Sequence, residues 1–74
     1  MRIYRITDIG ESEASTPVHN PSDARLALYY LRSRSNNTAS DDMIAQAKFG
    51  GDIGRTQVAM SRLLRAKAVI TIGG

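Results

Sequence analysis

Seventy-four residues of which 42% are apolar suffice for one globular domain, not two, and are too apolar for a disordered tail. The absence of Cys excludes disulfide staples and cysteine-ligated zinc, and with no Trp and a single Phe the core must be mainly aliphatic. Net charge is a mild +3, but residues 1–31 hold Arg2, Arg5 and Arg25 against Asp8, Glu11, Glu13 and Asp23, a net of −1, whereas the tail after Asp52 holds Arg55, Arg62, Arg65 and Lys67 with no acid, a net of +4.

Such a charge gradient steers a polyanion toward one face, although it also suits an ordinary solvated helix surface. No long apolar stretch follows Met1, so neither a signal peptide nor a membrane span is expected. With no Cys to stabilise, a cytoplasmic setting is the simpler expectation, and dimerisation would supply buried area that so short a chain lacks.

The opening run, rich in β-branched and aromatic residues, predicts a strand over 2–9 that Gly10 ends. Residues 11–19 read as a polar loop. A first helix is predicted over 21–34, with Asn20 as its cap and Pro21 at the first helical position. Ala24, Ala27, Leu28 and Leu31 share one face of it, and Leu26 and Tyr30 widen the apolar arc, as expected of a central helix. Of the adjacent Tyr29 and Tyr30, at most one can sit centrally in the core.

The second helix is predicted over 40–48. Thr38-Ala39-Ser40-Asp41 resembles a capping box, and Asp41 and Asp42 favour the positive pole of the first turn. Phe49 and Gly50-Gly51 stop it. A third helix is predicted over 54–67, with Met60, Leu63 and Leu64 inward and Arg55, Val58, Arg62 and Arg65 outward. A short apolar strand over 68–72 follows. The two end strands have no other obvious partner and are expected to pair with each other beneath the helices.

Chemistry that needs a constellation of reactive groups finds none. His19 is the single histidine, so no His/Cys metal site is expected, and nothing suggests a catalytic triad. The segment Gly50-Gly51-Asp52-Ile53-Gly54 lacks the lysine and hydroxyl residue of a phosphate-binding loop. The expectation is a protein that is not an enzyme and that uses no cofactor and no metal.

From PSDARLALYYLRSR through TASDDMIAQAKFGGDIGRTQVAMSRLLRAKAVITI, over 21–72, the chain resembles the winged helix-turn-helix DNA-binding domains of small bacterial and archaeal proteins. The ending LLRAKAVI matches the family's exit from its recognition helix: Leu64, then Arg65-Ala66-Lys67, then Ala68 where glycine is usual, then Val69-Ile70. Gln57 and Ser61 stand where many members place apolar residues. No hairpin wing fits after 68–72, and the first strand is expected to take the place of the missing wing strand.

The resemblance implies an α+β fold: a three-helix winged-helix-like domain, with its N- and C-terminal strands pairing in a small sheet and residues 1–74 forming one domain. It also implies a transcriptional regulator whose third helix enters the major groove of double-stranded DNA. Arg55, Thr56 and Gln57 would then lead the helix toward base edges or phosphates. Arg62, Arg65 and Lys67 would position phosphates, although cations near a helix C-terminus are also favourable without a ligand. Thr56 has a second reading as a helix cap. The alternative function is a non-catalytic protein-interaction or dimerisation module, either a homodimer or a docking surface for an acidic protein. Val58 among the arginines favours that reading, and alignment of Arg55, Arg62 and Arg65 with Arg32 and Arg34 would favour DNA.

Overall fold

The computed structural model describes residues 2–73. In chain order the elements are β1 (Ile3–Ile6), α1 (Asp8–Ala14), α2 (Asp23–Ser33), β2 (Thr38–Ser40), α3 (Asp41–Lys48), α4 (Ile53–Arg65) and β3 (Val69–Gly73). The described residues thus form a small α+β domain of four helices and a three-stranded antiparallel sheet ordered β2-β1-β3. This overturns the expected three-helix domain with a simple sheet of two end strands. A fourth helix and a third strand lie in segments whose local pattern reads as loop and as helix start.

The extra helix, α1, occupies residues expected to be the end of a strand and a polar loop. Thr7 caps it by accepting the Gly10 N–H at 3.2 Å, and Asp8 and Glu11 suit its positive end. Gly10 therefore belongs to a helix and is buried there, because α1 crosses the backbone leading into β3 too closely for a side chain. Arg25 donates from its guanidinium to the Glu13 carbonyl and ties α2 to the end of α1.

The α2 cap is Ser22, which accepts the Arg25 N–H at 3.3 Å, and not Asn20, which takes a left-handed conformation at φ 58°. Ala27, Leu28 and Leu31 are fully enclosed, with Ala24, Leu26, Tyr29 and Tyr30 packed around them. This helix contacts both α4 and α1 and forms the centre of the fold.

The third strand, β2, occupies Thr38–Ser40, where a helix start was expected. It pairs antiparallel with β1 in the register Ile3↔Ser40, Tyr4↔Ala39 and Arg5↔Thr38. Ser40 ends β2 and also caps α3, accepting the Met43 N–H at 3.2 Å. On its other side β1 pairs with β3 through Tyr4↔Thr71, Arg5↔Ile70 and Ile6↔Val69, and a bulge precedes Ile3↔Gly73. Tyr4 and Ile6 point into the core while Ile3 and Arg5 face outward, the alternation of a half-buried strand.

The turn from α3 to α4 uses Gly50 and Gly51 at φ 60° and 87°, a conformation that side chains resist. Asp52 then caps α4 by accepting the Arg55 N–H at 3.0 Å. At the far end of α4 the left-handed residue is Lys67, at φ 62°, and not Ala68. Lys67 N–H donates to the Leu64 carbonyl at 3.1 Å and Ala68 N–H to the Leu63 carbonyl at 2.9 Å, a Schellman closure. Ala68 is completely buried. The shift by one position explains why a non-glycine residue is tolerated at 68: it does not carry the strained conformation.

Candidate nucleic-acid interface

At about 100° per residue, α4 separates into two arcs. Thr56, Ala59, Met60 and Leu63 are buried. Ile53, Gly54, Arg55, Gln57, Val58, Ser61, Arg62 and Arg65 are exposed, and α4 contains no acidic residue. The outward arc follows from the sequence: every polar side chain of α4 except Thr56 repeats on its exposed side.

Arg55 lies at one margin of that arc. Its Nε and Nη2 donate to the two carboxylate oxygens of Asp23 at 2.7 and 2.8 Å, and its guanidinium lies 5.1 Å from the Phe49 ring centroid. The bidentate bonds from Arg55 hold the Asp23 carboxyl below its ordinary range, aided by the nearby positive charge of Arg62. In turn, those bonds to Asp23 push the Arg55 guanidinium up. Arg55 therefore links α4 to the start of α2, and much of its capacity for charge recognition is already occupied. Both side chains are exposed, so the pair is screened by solvent.

Thr56 requires a correction. Its side chain is 0% exposed, and its hydroxyl donates to the Asp52 carbonyl at 2.9 Å. It cannot touch a base or a phosphate without leaving the core, and the cap of α4 is Asp52. Gln57 lies at the opposite margin from Arg55, in a polar recess shared with Ser61, Arg2, Tyr4 and Asp41. Arg62 and Arg65 are exposed, and among the described residues the single ion pair is Arg55 with Asp23, so neither is paired. Lys67 stands apart beyond the helix end. Its carbonyl accepts the Thr7 hydroxyl at 2.7 Å, and its side chain borders an apolar groove at β3.

The structure thus gathers Gln57, Arg62 and Arg65 on one arc, places Arg55 at its edge, and separates Thr56 and Lys67 from it. Arg34 is bonded toward β2. It lies at the opposite end of α2 from Asp23, over the Tyr30 ring and bonded to the Thr38 carbonyl at 3.4 Å. Val58 is 59% exposed, but Ala59 beside it is buried, so no apolar patch of the two forms. The polar recess escaped sequence reasoning because it joins Arg2 and Tyr4 to Asp41 and Gln57 through tertiary contact alone. Ser61 is not among the residues expected at the site, although its helical spacing to Gln57 and Arg65 is the signal that could have found it.

Among the described residues no group of His, Cys, Asp and Glu side chains is disposed to hold a metal ion. No described helix is long and apolar enough to cross a membrane. No family model matches the chain, and neither the curated proteins nor the solved structures yielded a match. The geometry is loosely compatible with a winged-helix-like architecture.

Proposed function

We propose that this domain is a winged-helix-like protein that binds double-stranded DNA through the outward arc of α4, as a non-catalytic regulator of transcription. The observation that supports it is a 13-residue helix without acids that exposes Gln57, Ser61, Arg62 and Arg65 together, with both arginines unpaired among the described residues. Arg62 and Arg65 would position phosphates, and Gln57 and Ser61 would face base edges. Arg55 serves chiefly to dock α4 on α2 while it remains bound to Asp23.

An amide-resolved NMR titration with a mixed-sequence duplex tests the reading. Shifts are expected on Gln57, Val58, Ser61, Arg62 and Arg65. For a single domain on the duplex, two phosphate contacts predict a salt slope near −1.8, or roughly a twelvefold loss of affinity between 50 and 200 mM salt. Absence of shifts on α4 at low salt, or an affinity indifferent to salt, refutes it.

A second reading is favoured by Val58, the most exposed large apolar side chain among the described residues. On it, the same arc docks an acidic protein, with Val58 at the centre of the contact and Arg62 and Arg65 at its rim. Partner capture that survives nuclease treatment and is lost in Val58→Asp would support this alternative.

A further inference from the structure

The strand β3 forms one edge of the sheet, with β1 on one side and, among the described residues, no strand on the other. Its backbone orientation follows from neighbouring bonds. Thr7 N–H donates to the Ala68 carbonyl at 2.9 Å, whereas Ile6 N–H turns the other way, to the Asn37 carbonyl at 3.2 Å. In an antiparallel ladder these directions alternate. Arg5 and its partner Ile70 therefore bond to each other, while Val69 and Thr71 aim their N–H and C=O groups at the open edge.

Natural edge strands are usually blunted by lysine, proline or an inward charge. The sequence of β3, VITIG, has none of these. Ile70 and Ile72 stand on it 41% and 46% exposed. An apolar groove formed by Ile9, Leu64, Val69 and Ile70 runs beside the strand, rimmed by Asp8 and Lys67. That rim carries one charge of each sign, so it offers no net repulsion to a copy of itself, although the chain as a whole is basic.

We infer that β3 is the dimerisation edge of this protein and that its occupant is the β3 strand of a second copy, paired antiparallel about a dyad at Thr71. Centring the dyad there overlaps all five residues of the strand with their copies. The outward N–H and C=O groups of Thr71 meet their own symmetry mates, and Ile70 of each chain falls opposite Ile72 of the other. Such cross-strand aliphatic and Thr–Thr pairs stabilise a ladder. An interface of ordinary size covers about 800 Å² per partner. That would be roughly a fifth of the 4431 Å² surface of this domain, so a five-residue ladder with one flanking groove places the dimer in the weak, concentration-dependent class. The site is distinct from the α4 arc and is tested without DNA.

Sedimentation of the whole chain from micromolar to millimolar concentration is expected to show a monomer–dimer equilibrium. Thr71→Pro removes an N–H that β1 does not use, and proline is tolerated at such an edge position. It should weaken the dimer at least roughly tenfold while leaving the folded amide spectrum in place. Charge exchange tests the register independently of that variant. Ile70→Glu and Ile72→Lys chains should each dimerise poorly alone. They should form a mixed dimer when combined, because the carboxylate introduced on one chain then faces the ammonium group introduced on the other. A chain that stays monomeric at millimolar concentration overturns the inference. So does a dimer unmoved by Thr71→Pro, or one that shows no preference for the mixed pair.

Discussion

Replacing Gly10 with alanine should destabilise the domain, against the usual trend for a helical glycine. A Cβ at this position would lie 2.1 Å from the Ala68 carbonyl oxygen and 2.7 Å from Ile6 Cγ1. Ile6 can rotate its side chain, but the carbonyl is held on both sides. It accepts the Thr7 N–H at 2.9 Å, and Ala68 N–H is bonded to the Leu63 carbonyl at 2.9 Å. Relief requires α1 or the start of β3 to move by about 1 Å, an overpacking strain of about 1–3 kcal/mol. Straining the Thr7–Ala68 bond adds up to about 1 kcal/mol, and the better helix propensity of alanine returns a similar amount. The net loss is therefore about 1–3 kcal/mol, or a fall in Tm of roughly 6–18 °C for a chain of this size. Gly54→Ala is the matched control. Its Cβ would have Asp52 Oδ1 at 3.5 Å as nearest neighbour, an ordinary contact, so a gain of up to about 1 kcal/mol is expected. Urea unfolding of both variants measures the difference. If Gly10→Ala matches or exceeds the parent in stability, the close crossing of α1 over the β3 entry is wrong.

Asp23→Asn should free Arg55 for phosphate, steepening the salt dependence of DNA binding by about 0.9 in slope, as fluorescence anisotropy would read. Because the folded-state pKa of Asp23 is depressed, the stability contributed by its pair is present above the ordinary value of 3.8 and is lost as pH falls through the lowered folded value. The Arg55 Nε resonance should therefore hold its bonded shift down to that acidic range and collapse below it. Thr56→Val should cost about 1 kcal/mol through the lost bond to Asp52 and leave DNA affinity unchanged, which calorimetric unfolding and anisotropy together would establish. Arg65→Ala should lower the salt slope by about 1 with no change in Tm beyond a few degrees.

The helices α2, α3 and α4 were legible because their apolar spacing survives in the sequence, and of the two hydroxyl residues that could start α3, Thr38 and Ser40, it is Ser40 that caps it. What escaped depends on partners distant along the chain. Gly10 reads locally as a breaker, and only the proximity of Ala68 explains a glycine inside α1. Thr38–Ser40 has a helix-start pattern, and it becomes a strand because β1, far away along the chain, supplies a ladder. The same limit applies at the candidate site. Helical spacing places Arg55, Arg62 and Arg65 outward with Val58, but it sets Gln57 close to Leu64 in projection and cannot show that Asp23, 32 residues earlier, captures Arg55. Nor could polarity show that the Thr56 hydroxyl turns back onto its own helix. In each case a tertiary contact reassigned what local propensity favoured.

Taken together, the capture of Arg55 and the separate position of Lys67 leave Arg62 and Arg65 as the cations on the α4 arc that are unpaired among the described residues, too few for tight binding by one domain. Two copies joined through β3 would present twice as many, and the second contact would benefit from the effective concentration created by the first. If the dyad places both α4 arcs on one duplex, the salt slope of the parent should be about twice that of Thr71→Pro, near −3.6 against about −1.8. Anisotropy titrations on a duplex long enough for two half-sites, at several salt concentrations, measure both slopes. Equal slopes would mean that the β3 dimer and the DNA face act independently, with the two α4 arcs unable to reach one duplex together.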